Sequence, residues 1–206
     1  CAAMDRDSYL RDPCGTLSIP LWKAGKMALP ASIRIVHCRD WHGEYAQYQR
    51  FFRVKHTLRD LSACESEYRV IDLQAQASEL SQMINTSYAH EHIRVSEDDL
   101  RSMQKHPTYC RELWVYLEAD GRMAASGIAE YDRDCGEGVL EWIQVLPEYR
   151  GRGYGRRIVT ILLNKLREMG ADFVTVSGNL DNITSPLALY RACGFTGEDV
   201  WYICRI

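Results

Sequence analysis

Val145-Leu146-Pro147-Glu148-Tyr149-Arg150-Gly151-Arg152-Gly153-Tyr154-Gly155-Arg156 joins a strand pattern to the clearest helix pattern in the chain. Upstream, Gly138 to Leu146 reads as a strand. Downstream, Gly153 to Met169 carries Ile158, Val159, Leu162, Leu163, Leu166 and Met169 as one apolar stripe, with Gly170 as terminator. Three glycines at alternate positions let the backbone turn tightly and approach a ligand closely. The first N–H groups of the helix have no intrahelical partner, and the helix dipole makes that end attractive to an anion. Arg150, Arg152 and Arg156 add positive charge. The stretch therefore suits a diphosphate or a carboxylate. It lacks the Gly-Lys-Ser/Thr of a P-loop, and its G-x-G-x-G differs from the dinucleotide fingerprint G-x-G-x-x-G. From these residues alone, a turn that only connects strand to helix stays open.

Outward from this loop the pattern is regular from Glu67 onward. Tyr68 to Leu73 reads as a strand and Gln76 to Tyr88 as a helix, with Leu80, Met83 and Ile84 at helical spacing. Ser96 is the expected N-cap of a helix that opens on Glu97, Asp98 and Asp99 and stops near Pro107. Leu113 to Leu117 and Arg122 to Tyr131 flank the turn Ala119-Asp120-Gly121. Beyond the loop helix come a strand at Asp172 to Ser177, a helix with Ser185 as N-cap and Pro186 at its first position, and a strand at Val200 to Arg205. The order β-α-α-β-β-β-α-β-α-β predicts an α/β (α+β) fold, a mixed sheet with helices on both faces. Residues 1–65 differ in texture. Ser32 to His37 and Gln49 to His56 read there as a hairpin-like pair of strands.

The chain has 206 residues, 25 Lys+Arg against 28 Asp+Glu and 46% hydrophobic residues, as expected of a globular protein. A net charge of -3 disfavours a surface built for nucleic acid or anionic lipid. No apolar run reaches the roughly 18 to 20 residues of a membrane span. Asp5, Arg6 and Asp7 interrupt any signal peptide, and Met4 reads as the natural start. The eight cysteines, Cys1, Cys14, Cys38, Cys64, Cys110, Cys135, Cys193 and Cys204, include no Cys-x-x-Cys pair. They read as small buried hydrophobes in a reducing cytoplasm, with no metal site. The six histidines show no ligand spacing, and His90 and His92 read as exposed loop residues.

The loop resembles the acetyl-CoA signature of the GNAT superfamily of N-acetyltransferases, V-x-P-x-x-[RQ]-G-x-G-[ILY]-G. A second family block, N…A-x-x-L-Y-x-x-x-G-F, resembles the run from Asn182 through Ala188, Leu189 and Tyr190 to Gly194 and Phe195. Pro186 stands where that block usually has Ala, and one residue more than usual separates Asn182 from Tyr190. The resemblance covers residues 66–206. Residues 1–65 are similar to an N-terminal extension found in some bacterial members of unknown acceptor, and are expected to pack on the core.

What the resemblance implies is acetyl transfer from acetyl-CoA to a primary amine by direct attack, with no metal. Backbone groups of Ile143, Gln144 and Val145 would pair with the pantetheine. Arg150, Gly151, Arg152, Gly153, Tyr154, Gly155 and Arg156 would take the pyrophosphate, and Asn182 and Tyr190 would contact the cofactor. Tyr190 matches the general-acid position. A phenol with a reference pKa near 10 remains protonated at neutral pH and can donate to a leaving thiolate. An alkylamine is neutral in only roughly one molecule in 2,500 at pH 7, so a base helps. Glu141 is the first choice, with Glu130 and Asp132 in reserve. Strand alternation would put Glu141 on one face with Val139 and Ile143, unless a bulge intervenes. Trp114, Trp142 and Tyr131 are candidates to line an acceptor pocket. The acceptor is a small molecule or a peptide amine, without nucleic acid or membrane, in the cytoplasm; a homodimer stays open. The alternative reading is a non-catalytic acyl-CoA-binding or sensing module.

Overall fold

The computed structural model describes residues 6–16, 30–63, 66–91 and 93–206. Cys1, Met4, Pro20, Trp22, Cys64 and His92 lie outside the described residues. In chain order the elements are α1 (Arg6–Arg11), β1 (Ile33–His37), β2 (Tyr48–His56), β3 (Arg69–Val70), α2 (Leu73–Ser87), α3 (Glu97–Met103), β4 (Trp114–Ala119) and β5 (Arg122–Asp132). There follow β6 (Glu137–Val145), α4 (Tyr154–Glu168), β7 (Phe173–Asn179), α5 (Pro186–Ala192) and β8 (Thr196–Arg205). From β3 onward this is the predicted order.

Local chemistry sets the ends. The Asp72 carboxylate accepts from the Gln74 N–H at 3.0 Å, and the Gln76 side chain accepts from the Asp72 N–H at 2.9 Å. That cap starts α2 three residues earlier than periodicity suggests and shortens β3 to Arg69–Val70. Ser96 is the predicted cap of α3. Its hydroxyl accepts from the Asp99 N–H at 3.1 Å and the Asp99 carboxylate accepts from the Ser96 N–H at 2.8 Å, a capping box. The Ser96 hydroxyl, 2.7 Å from the Asp99 carboxylate, and then the Ser96 N–H hold that carboxyl below its usual range. Ser185 stands at the N-cap position of α5, but with φ 49° its side chain makes no cap bond. The preceding turn is held instead by Asn182, whose Oδ1 accepts from the Thr184 N–H at 2.8 Å and from the Thr184 hydroxyl at 2.7 Å.

The chain divides into two units, residues 57–174 and residues 1–56 with 175–206. In the first, the strands run in the order β6-β5-β4-β3, each pair antiparallel. One face carries α2 and α3 over a core that includes Leu80, Ile84, Leu100, Trp114 and Ile128. On the other face α4 lies close to the strands: a Cβ on Gly127 would come within 2.4 Å of Ile158, and one on Gly138 within 2.5 Å of Leu166. The β5–β6 ladder slips by one residue. Ile128 faces Trp142 and Ala129 faces Leu140, which leaves Glu141 as the extra residue of a bulge. Alternation therefore reverses there, and Val139 and Ile143 do not share a face.

In the second unit the order is β1-β8-β2-β7. Both β1 and β2 are present, but they do not form the expected hairpin. β8 lies between them, antiparallel to each, with Ile35 opposite Ile203 and Phe51 opposite Trp201. The connection between β1 and β2 crosses β8, and Trp41 stacks on Tyr202 at 4.2 Å, which holds the crossing in place. Arg53, 5% exposed, donates to the Pro13 carbonyl at 3.0 Å, the Tyr9 hydroxyl at 3.2 Å and the Ser177 hydroxyl at 3.1 Å. These bonds give its buried charge partners and tie residues 9–13 to the strands. Cys14, Cys135 and Cys204 are buried and in no disulfide, and burial pushes the Cys14 thiol up to about 11. Cys38 is exposed and Cys110 and Cys193 are half-buried, so the buried reading holds for three of the six described cysteines. No described helix is long and apolar enough to cross a membrane.

Candidate active site

The loop between β6 and α4 is fixed from below by Tyr149. Its ring is buried, and its hydroxyl donates to the Asp120 carboxylate at 2.8 Å. The Arg122 guanidinium reaches the same hydroxyl at 3.4 Å and pairs with Glu148. From this base the backbone turns through Gly151 and Gly153, with φ of 75° and 81°. Those are left-handed values that favour glycine, and a Cβ at either position would meet nothing within 4 Å. The first backbone bond of α4 runs from the Arg157 N–H to the Gly153 carbonyl at 3.1 Å. The N–H groups from Gly153 to Arg156 therefore precede the helical ladder and have no intrahelical acceptor. Arg152 lies over the Tyr149 ring at 5.5 Å and is exposed, as is Arg156. The result is an open turn of amides and guanidinium groups at a helix N-terminus, suited to a phosphorylated ligand.

Arg150 is used differently. Its guanidinium donates to the Val145 carbonyl at 3.2 Å and to the Ser87 carbonyl at 2.9 Å, so it joins the end of β6 to the last turn of α2. The residue that follows α2, Tyr88, donates its hydroxyl to the Ile143 carbonyl at 2.9 Å. Its ring packs edge-on against Trp142 at 5.5 Å. Gln144 is buried and donates to the Ser126 hydroxyl. Of the three strand residues expected to pair with a pantetheine, Ile143 and Val145 thus already have their carbonyls engaged. Tyr88 carries no motif, and sequence reasoning did not find it.

Glu141 is exposed on the bulge. Glu130 is opposite Val139 and 9% exposed; its carboxylate accepts from the Thr108 hydroxyl at 2.6 Å, and Thr108 in turn contacts His106 Nδ1. Trp114 and Trp142 both face Ile128 across the strands and share a face. Tyr131 does not join them: it is opposite Gly138 on the α4 face, with its hydroxyl 3.9 Å from a Cβ placed on Gly170. His90 is half-buried rather than exposed.

In the other unit, Tyr190 is 6% exposed, its ring 6.0 Å from Phe52 and 5.6 Å from Phe195. Its carbonyl accepts from the Phe195 N–H at 3.0 Å, closing the turn after α5. Asn182 holds the start of the same helix through the bonds to Thr184.

Residues 77–195 match the acetyltransferase (GNAT) family, more than half of the chain. The chain belongs to this family. Its fold is also that of solved GNAT structures. A GCN5-related N-acetyltransferase from Sphaerobacter thermophilus aligns with a TM-score of 0.66 at 16% identity, covering 77% of this chain and 51% of that one. The chain therefore spans about half the length of that protein. The ribosomal-protein-S18-alanine N-acetyltransferase from Escherichia coli aligns with a TM-score of 0.54 at 19% identity, covering 68% and 93%. The NatC complex bound to Gag peptide and CoA aligns with a TM-score of 0.54 at 18% identity, covering 68% and 98%. No curated protein sequence matches the chain. A GNAT fold is thus present, with its loop and both sequence blocks.

Proposed function

We propose that this GNAT protein transfers an acetyl group from acetyl-CoA to a primary amine by direct attack. The observation that carries the reading is the open glycine-arginine turn from Gly151 to Arg156 at the start of α4. In this reading the pyrophosphate accepts from the N–H groups of Gly151 to Arg156 and pairs with Arg152 and Arg156. Arg150 braces the strand on which the pantetheine lies along Ile143, Gln144 and Val145. Asn182 contacts the cofactor. Tyr190 donates a proton to the departing thiolate. Glu141, exposed on the bulge, takes a proton from the arriving ammonium and passes it to water. Acetyl-CoA is a co-substrate, and the acceptor is a small-molecule or peptide amine in the cytoplasm.

A CoA-release screen over primary amines, with mass analysis of products, tests this. The expected result is an acetylated amine and stoichiometric CoA. Binding of acetyl-CoA without transfer to any amine would favour a non-catalytic sensing module instead.

A further inference from the structure

We propose that the Tyr88 hydroxyl holds a bonding position that the pantetheine would take, and that acetyl-CoA binds by displacing it. The inference rests on the acyl-transfer reading above and adds a residue that sets cofactor affinity.

The β5–β6 ladder shows which groups of β6 face a cofactor. The Leu146 N–H donates to the Ala124 carbonyl at 3.0 Å, so these two residues form a hydrogen-bonded pair. In an antiparallel ladder, bonded and non-bonded pairs alternate. Gln144 with Ser126 is then bonded, whereas Val145 with Ala125 and Ile143 with Gly127 are not. The carbonyls of Ile143 and Val145 therefore point away from β5. They face the edge along which a pantetheine would pair as an added strand. Both are taken. Arg150 donates to the Val145 carbonyl at 3.2 Å and the Tyr88 hydroxyl to the Ile143 carbonyl at 2.9 Å. Arg150 belongs to the loop and also holds the Ser87 carbonyl at 2.9 Å, so its bonds close the end of the strand. In this stretch the Ile143 carbonyl is the outward acceptor left for a pantetheine amide. The Tyr88 oxygen stands at the distance an amide nitrogen would take from it.

The segment that carries Tyr88 has reason to move. Ser87 is 4% exposed, and its hydroxyl has no hydrogen-bond partner among the described residues. The same is true of a buried carboxylate oxygen of Glu91, whose N–H bonds back to the Tyr88 carbonyl at 2.9 Å. Buried polar atoms without partners raise the free energy of this arrangement. The bond to Ile143 and the edge-on contact with Trp142 at 5.5 Å hold the segment there. In the exchange, a pantetheine amide N–H replaces the phenol as donor, so the Ile143 carbonyl stays satisfied. The Tyr88 hydroxyl passes to water. No covalent bond changes.

Calorimetric titration of the full chain with acetyl-CoA tests this, in the wild type and in Tyr88→Phe. The variant keeps the ring against Trp142 and removes only the hydroxyl. Displacement makes Tyr88→Phe bind acetyl-CoA more tightly, by roughly 5-fold, the worth of one neutral hydrogen bond. The nucleotide portion of CoA alone, which has the pyrophosphate and no pantetheine, should bind both proteins equally. A purely structural Tyr88 would instead weaken acetyl-CoA binding on removal, or change both ligands together. A carbonyl that served both donors at once would give no change. Each of these results overturns the proposal. If Tyr88→Phe fails to fold, wild-type spectra with carbon-13 at tyrosine Cζ decide. Acetyl-CoA should shift the Tyr88 signal and the nucleotide portion should not; an unmoved signal with acetyl-CoA bound overturns the exchange. A wild type that does not bind acetyl-CoA overturns the acyl-transfer reading itself.

Discussion

The Tyr88 hydroxyl donates to the Ile143 carbonyl at 2.9 Å, so the C-cap of α2 is bonded to the strand on which the cofactor is proposed to lie. Burial, with a smaller push from the Glu91 charge, raises this phenol to about 12. The raised value sets a sign. Below pH 10 the hydroxyl is protonated in folded and unfolded chains alike, and its contribution is complete. Between pH 10 and 12 the unfolded chain ionises first, and stability falls. The loss attributable to Tyr88 is about 2 to 3 kcal/mol across that window. Tyr88→Phe should be about 1 kcal/mol less stable than wild type at pH 8, from the lost bond. It should also lose less on going to pH 12. Chemical denaturation of both proteins at the two pH values checks this; parallel losses would remove Tyr88 as the cause.

A second prediction concerns the loop. Gly153 has φ 81°, and a Cβ there meets nothing, so Gly153→Val strains the backbone without a clash. The strain costs about 1 to 3 kcal/mol, which a folded domain can absorb. Acetyl-CoA should raise the melting temperature of the wild type, because it binds only the folded chain. In Gly153→Val most of that rise should vanish while the ligand-free protein still melts cooperatively. An undiminished rise would take the loop out of the cofactor site.

The parts legible in the sequence are those decided by neighbours in the chain. The stripe from Ile158 to Leu166 and the alternating glycines of the loop state α4 and its anion end directly. The bulge at Glu141 is decided by pairing with Ile128 and Ala129 across the ladder, and no local pattern announces it. The same holds for β8, which lies between β1 and β2 although about 150 residues separate it from them in the chain. The His106–Thr108–Glu130 cluster joins a loop to a strand 22 residues on, so its members look unremarkable one by one.

Tyr190 offers a kinetic test of the thiolate-protonation role. Its ring is held by Phe52 and Phe195, so removal of the hydroxyl alone should leave the packing intact. Tyr190→Phe should lower kcat by roughly 10²-fold or more with little change in acetyl-CoA affinity. Wild-type turnover in this variant would show that the thiolate leaves without it.

The last prediction concerns residues 1–65, which the sequence presents as an extension. Within its own unit, β8 has two neighbours, β1 and β2, and both come from this segment. A chain that begins at Ser66 would leave β8 with unpaired N–H and C=O groups along both edges, and Trp201 and Tyr202 without Phe51 and Trp41 beside them. Unpaired edges with exposed aromatic rings favour association between chains. The same cut removes Phe52, whose ring packs against Tyr190 and lies within 2.6 Å of a Cβ placed on Gly178. The shortened protein should therefore be insoluble or melt without cooperativity, even though the sequence blocks from Val145 onward are complete. Phe52→Ala in the full chain isolates one part of this effect. Its cost should be about 3 to 5 kcal/mol, the range for a large buried aromatic. A soluble protein starting at Ser66 with a sharp thermal transition would show that β8 finds other partners, and that residues 1–65 are an addition to the fold rather than part of it.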